Sequence, residues 1–176
     1  ILRNMARAKS GEQVKDVLSR IRKAIPDATI RTTLIVGFPG ETEENFQELL
    51  EFVREFEFDY AGVFKYSREE DTVAYNLPNQ VPEDIKERRY AELVNLQSEI
   101  AERKNKKFLG KEIEVMIDGV SSESEYLLEG RTRGQALEID GKVLTTDGTA
   151  KPGEIVKVLI DQNFEYDFVG AIVENE

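Results

Sequence analysis

The sequence has no cysteine and no histidine. Their absence excludes thiol chemistry, Cys/His zinc sites and imidazole catalysis within this chain. No apolar run approaches the length needed to cross a bilayer, and no stretch resembles a signal peptide, so the expected location is the cytoplasm. The glycine-rich turn at residues 37–40 lacks the Gly-Lys-Ser/Thr of a P-loop and the spacing of a dinucleotide fingerprint. Carboxylate pairs such as Glu69/Glu70 are frequent, but in so acidic a chain an exposed charge run accounts for their adjacency. The residues supply no complete catalytic constellation. The first residues, Ile1-Leu2-Arg3-Asn4-Met5, read as the end of a strand or the middle of an element already under way, so the chain is expected to be a fragment.

What is present suffices for one medium domain or two small ones: 176 residues, 40% of them hydrophobic and 34% charged. The net charge of −11 is unevenly spread, because residues 111–176 hold 15 acidic and 6 basic side chains. Such a surface would repel a phosphate backbone and favours a basic partner. An acidic surface kept for solubility accounts for the same charge.

The stretch that organises the first part is Thr33-Leu34-Ile35-Val36-Gly37-Phe38-Pro39-Gly40-Glu41-Thr42. Ile30 to Val36 is too short for an ordinary helix and rich in β-branched residues, which predicts a buried strand. Gly37 and Gly40 permit a tight corner, and Thr42 with Glu43 and Glu44 suits the start of a helix over 43–56. A strand whose carboxyl end meets a glycine turn is where α/β sheets and barrels bind ligands; a plain βα turn has the same spacing. Upstream, Ser10 and Gln13 form a possible capping box for a helix with Val14, Val17, Leu18, Ile21, Ala24 and Ile25 on one face. Downstream, Tyr60 to Tyr66 reads as the next strand. Helix, strand, helix, strand with short connections predicts parallel βαβ units, part of a barrel or half-barrel. The polar loop from Ser67 to Pro82 holds Arg68, Glu69, Glu70 and Asp71 directly after a strand end, a position suited to a lid, to a substrate-contacting loop or to a solvated connection. A long helix from Glu83 to about Lys107 carries Ile85, Leu93, Leu96 and Ile100 as apolar positions, with Arg88, Arg89, Glu92 and Lys104 among the polar ones.

After Gly110 the pattern changes to alternation, as in Glu112-Ile113-Glu114-Val115-Met116-Ile117. Turn signals at Asp118-Gly119, Asp140-Gly141, Asp147-Gly148 and Pro152-Gly153 separate apolar stretches at Tyr126 to Gln135, Lys142 to Thr146, Glu154 to Ile160 and Asp167 to Val173, the last preceded by a turn near Asn163. Short strands so spaced predict a small closed barrel of the OB type. The expected domains are therefore 1–108 and 109–176.

Several segments taken in order resemble the radical SAM methylthiotransferases. Ile1-Leu2-Arg3-Asn4-Met5-Ala6-Arg7 resembles the stretch after the family's fourth barrel strand, and Ile35 to Thr42 is similar to the one after the fifth. Tyr66-Ser67 with Thr72 to Ala74 matches the region after the sixth, and Arg89 with Leu96-Gln97 the long helix. The tail resembles a TRAM domain. The resemblance covers essentially the whole chain. It implies an α/β fold, the C-terminal half of a radical SAM (β/α) TIM-like barrel followed by a small all-β, OB-like TRAM barrel. Ser67-Arg68-Glu69-Glu70-Asp71-Thr72 stands where the tRNA-modifying branch has arginine-proline-glycine-threonine. It resembles instead the branch that modifies an aspartate β-carbon in ribosomal protein twelve of the small subunit.

The resemblance further implies S-adenosylmethionine (SAM) and two 4Fe-4S clusters. One cluster, on a C-x-x-x-C-x-x-C motif, reductively cleaves SAM, and the other supplies sulfur. None of those cysteines is in this chain, so both clusters are expected upstream and this part alone is expected to be inactive. By the family pattern Ile35, Val36 and Gly37 line the adenosine, and Tyr66 and Ser67 offer backbone contacts to adenine. Arg7 and Arg31 are candidates for the methionine carboxylate, because a guanidinium matches that planar group. Arg68, Glu69, Glu70 and Asp71 are candidates for contact with the protein substrate. The acidic tail is the expected dock for the ribosomal protein, and tRNA is an unfavourable partner for it. A tRNA-modifying enzyme and a non-catalytic binding module are the rival readings.

Overall fold

Residues 1–7 and 9–173 are described by a computed structural model. The last three residues of the expected second domain, 174–176, lie outside the described residues. The chain divides into two compact units, Ile1–Ile100 and Ala101–Glu176.

In the first unit, Ser10 and Gln13 exchange the predicted side-chain-to-backbone bonds at the start of helix α1 (Gly11–Ala24). Strand β1 (Arg31–Val36) leads through the glycine turn into helix α2 (Glu43–Phe56), whose Thr42 and Asn45 cap each other in the same reciprocal way. Strand β2 (Tyr60–Lys65) then lies parallel to β1, pairing Arg31 with Tyr60 and Val36 with Lys65. This is the βαβ unit that the short connections predict. Helix α3 (Glu83–Asn105) follows a loop that contains a single 3-10 turn, Val73–Asn76.

Alternation along the two strands decides which face is covered. Leu34 and Val36 join Phe46, Leu50 and Val53 of α2 and Leu93 and Ile100 of α3 in one core, with Ala61 and Val63 packed against it. Phe58 is buried beside the rings of Phe52 and Phe56. The opposite face carries the pairs Thr33 with Gly62 and Ile35 with Phe64, and Phe64 remains 58% exposed. Helix α1 contributes only Leu18 to the core and buries no residue fully, less than its apolar face led us to expect.

The second unit is the small closed barrel predicted from the spaced turns. Its strands are β3 (Glu112–Val120), β4 (Leu128–Arg131), β5 (Val143–Asp147), β6 (Ile155–Asn163) and β7 (Phe168–Ile172), in the order β3-β4-β5-β7-β6. Only the β5–β7 pair is parallel. Bulges between Ile117 and Gly119, Thr145 and Asp147, and Ile160 and Gln162 bend the strands enough to close. Val115, Ile117, Val143, Val158, Ile160 and Phe168 fill the interior. One sequence expectation needs correction. The strand expected over 126–135 is shorter because Ser121 to Leu127 forms its own turn, closed by Leu127 N–H to the Ser124 carbonyl. The turn expected near Asn163 follows the end of β6, where Phe164 N–H bonds to the Asp167 carbonyl.

Candidate functional site at the carboxyl ends of the two parallel strands

The glycine turn is shaped from behind by α3. Gly37 has φ +74°, and a Cβ there would press into the stem of Lys86, whose Cδ would lie 3.0 Å away. Glu41 folds back so that its Oε1 accepts the Gly37 N–H at 2.8 Å. The same oxygen receives Arg89 Nη1 at 2.7 Å, and Nη1 also donates to the Glu41 carbonyl at 3.2 Å. Both side chains are almost wholly buried, 4% and 5% exposed. Burying a carboxylate and a guanidinium is tolerable only because each is paired and hydrogen-bonded. The turn is further tied by Gly40 N–H to the Asn79 carbonyl, 2.9 Å.

Arg89 also reaches Glu43 Oε2 at 3.3 Å, where Arg88 binds the same oxygen at 2.7 Å. The Arg88 hydrogen bond, helped by Gln47, holds the Glu43 carboxyl down to about 2 from its ordinary 4.5. A lowered folded value means that the contribution of Glu43 is complete above the ordinary carboxylate range. It is lost as pH falls from about 4.5 to about 2. Urea titrations across that interval should therefore show a shallower acid loss of stability for Glu43→Gln than for the parent chain.

On the neighbouring strand end, Tyr66 N–H bonds to the Val36 carbonyl at 2.9 Å. The Tyr66 carbonyl accepts Lys86 Nζ at 3.0 Å. Its ring meets Phe38 edge-on, centroids 5.2 Å apart, and its hydroxyl is buried with no hydrogen-bond partner among the described residues. Lys86 is 7% exposed and also holds Glu83 Oε2 at 3.2 Å, whose carboxyl is lowered chiefly by that bond. Lys65 binds Glu83 and Glu87 from the other side and is raised, first by Glu87.

The expected site residues fall into three groups. Val36, Gly37 and Tyr66 converge on this strand end, with Ile35 on the open face beside Phe64 and Ser67 just beyond Tyr66. Arg31 does not join them: it opens β1, about 20 Å along the strand from Gly37 at the usual rise, and lies over the Tyr60 ring at 5.3 Å. Arg7 is exposed and closes a turn through its N–H to the Leu2 carbonyl. The third group, Arg68 to Asp71, is exposed. Arg68 lies 4.3 Å over the Tyr75 ring and donates Nε to the Tyr75 carbonyl at 2.9 Å; Ser67 Oγ donates to Glu69, and Gln80 Nε2 donates to the carbonyls of Ala74 and Leu77. The loop is knit internally, and it presents Glu70, Asp71 and the 85%-exposed Val73 outward.

Sequence reasoning missed Glu41, Lys86 and Arg89 as a unit. Arg89 reads from the sequence as one of the polar positions of α3; it is buried because the Glu41 carboxylate meets it beneath the turn. A signal existed: Lys86, Arg89, Leu93, Gln97 and Ile100 share one helical stripe, so the charged residues stand in phase with the apolar ones.

The uncovered apolar strand face, the glycine corner and the unpartnered Tyr66 hydroxyl suit an aromatic, polar ligand such as SAM. They do not suit an iron–sulfur cluster: the chain has no cysteine, and among the described residues no group of His, Cys, Asp and Glu is placed to hold a metal. No helix among the described residues is long and apolar enough to cross a membrane.

The first unit holds a parallel βαβ segment with a glycine turn between β1 and α2, and the second a closed five-stranded barrel, the arrangement expected of a radical SAM segment joined to a TRAM domain. Comparison with known proteins agrees: the radical SAM superfamily profile matches residues 1–53 and the TRAM domain profile residues 109–173. Among curated relatives, the "ribosomal protein uS12 methylthiotransferase RimO" of Myxococcus xanthus is 47% identical over 99% of this chain and 37% of its own length. The proteins of the same name from Bdellovibrio bacteriovorus and Geobacter sulfurreducens are 46% and 45% identical over 98% of the chain, and 38% and 39% of their own lengths. The chain belongs to the RimO-type family of radical SAM proteins, and it spans somewhat over a third of the length of the relatives it matches.

Proposed function

We propose that the chain is part of an enzyme that methylthiolates the β-carbon of an aspartate in ribosomal protein uS12, working in the cytoplasm. The observation that carries this reading is the match of almost the whole chain, both units together, to proteins named for that reaction. SAM, cleaved at a cluster held elsewhere in the polypeptide, would supply the radical and the methyl group. The residues present here bind and orient. Of the three residues expected to line the adenosine, Ile35 would form the apolar wall on the open face beside Phe64, and Val36 and Gly37, packed against the core and the Lys86 stem, would shape that strand end from behind. Tyr66 and Ser67 would contact adenine through the main chain. Arg7 and Arg31 are the candidates for the methionine carboxylate, Arg31 standing at the opposite end of β1 from Gly37. Glu70, Asp71 and Val73, on the outward side of the preformed loop, would meet the protein substrate.

The second unit would dock that substrate by charge. With 15 acidic against 6 basic residues over 111–176, it complements a basic ribosomal protein and repels tRNA. Affinity of the full-length protein for uS12 should exceed that for tRNA at equal salt and should fall as salt rises, measured by fluorescence anisotropy. Tight, salt-sensitive tRNA binding would favour the tRNA-modifying reading instead. The decisive experiment reconstitutes the full-length polypeptide with iron, sulfide and an electron source. Formation of 5′-deoxyadenosine and a methylthio mass gain on uS12 are expected, and failure of wild-type protein to form either would overturn the reading.

A further inference from the structure

Lys86 is a buried lysine whose long stem and charged head do two separate things. The stem occupies the space that a side chain at residue 37 would need, so β1's corner fits against it. The head donates to the Tyr66 carbonyl at 3.0 Å and lies 5.4 Å from the Tyr66 ring centre. Lysine is rarely so enclosed unless its charge is satisfied, and Glu83 on the same helix completes that satisfaction at 3.2 Å.

The peptide group linking Tyr66 to Ser67 is planar and trans, so its carbonyl and its N–H point in opposite directions. Fixing the carbonyl against α3 therefore fixes the Ser67 N–H away from α3. That N–H has no hydrogen-bond partner among the described residues. We propose that Lys86 is a positioning residue for the cofactor: by gripping the Tyr66 carbonyl it aims the Ser67 N–H out from the helix, as a donor for the adenine ring of SAM. The inference rests on the proposed SAM site and adds the residue that sets its geometry. Lys86 touches no reacting atom and acts through the main chain of a neighbouring strand.

The test uses full-length protein carrying its clusters, with SAM binding measured by calorimetry under anaerobic conditions and folding by thermal midpoint. Lys86→Met keeps most of the stem against Gly37 and removes the charged donor. It should weaken SAM binding by up to about tenfold, the worth of the neutral Ser67 N–H hydrogen bond it misaims, with little change in thermal midpoint. Lys86→Arg, which retains a cationic donor, should recover part of that loss. Ser67→Pro deletes the N–H itself and should weaken binding similarly; adding Lys86→Met to Ser67→Pro should then weaken it no further. Wild-type affinity in Lys86→Met, or fully additive losses in the double variant, would overturn the role given to Lys86. Absence of SAM binding by the wild-type protein would instead overturn the reading of the site itself.

Discussion

Arg89→Ala should destabilise the first unit by about 3–5 kcal/mol, the usual penalty for removing one partner of a buried ion pair. The guanidinium donates to Glu41 Oε1 and to the Glu41 carbonyl, and nearly all of both side chains is shielded from water. Its removal strands the Glu41 carboxylate with the Gly37 N–H as its remaining hydrogen-bond donor among the described residues. Urea unfolding followed through hydrogen-exchange protection of the β1 amides would isolate this unit from the barrel. A double change, Glu41→Gln with Arg89→Met, removes both charges and should restore part of the loss. If Arg89→Ala costs less than about 1 kcal/mol, within the range of exposed pairs, the pair is solvated and the turn is held some other way.

Phe58→Ala should cost a comparable 3–5 kcal/mol, by a different mechanism. Phe58 is 1% exposed, and its ring centre lies 5.5 Å from that of Phe52 and 6.5 Å from that of Phe56. It precedes β2, and its carbonyl accepts Gln97 Nε2 of α3 at 3.0 Å. Truncation leaves a void where a helix end, a strand start and α3 meet. Phe58→Leu, which retains most of the volume, should cost less than half as much under the same measurement. Equal costs for the two variants would mean that the site relaxes freely.

Much of the architecture could be read from residue order because local signals and burial agree. Thr42, and Ser10 with Gln13, mark helix starts that the structure reproduces, each as a reciprocal cap, the Asn45 side of the second being visible only in the structure. The barrel was legible from alternation and from Asx-Gly turns. The corrections come where tertiary contact overrides pattern. Val17 and Ile21 mark an apolar face on α1, yet little of the described structure covers it. Lys86, Arg89 and Gln97 look like solvent-facing residues on a charge-laced helix, and each is buried because a main-chain carbonyl or carboxylate awaits it. A polar residue is buried by its partner, and the partner lies 20 residues away for Lys86 and Tyr66, 48 for Arg89 and Glu41. Periodicity within one helix sets these residues in phase with Leu93 and Ile100, but it does not name the partner. Loop conformation was equally hidden: the stacking of Arg68 on Tyr75 depends on a chain reversal that composition does not specify.

The contact between Gly37 and the stem of Lys86 has a bearing on how such sequences diverge. Two positions 49 residues apart in the chain share one small volume, so neither is free to drift alone. A lineage that acquired a side chain at the first would need a shorter one at the second, and would also have to reconcile a corner with φ of +74° to a β-carbon. Collections of homologous chains should therefore show the two sites changing jointly or not at all.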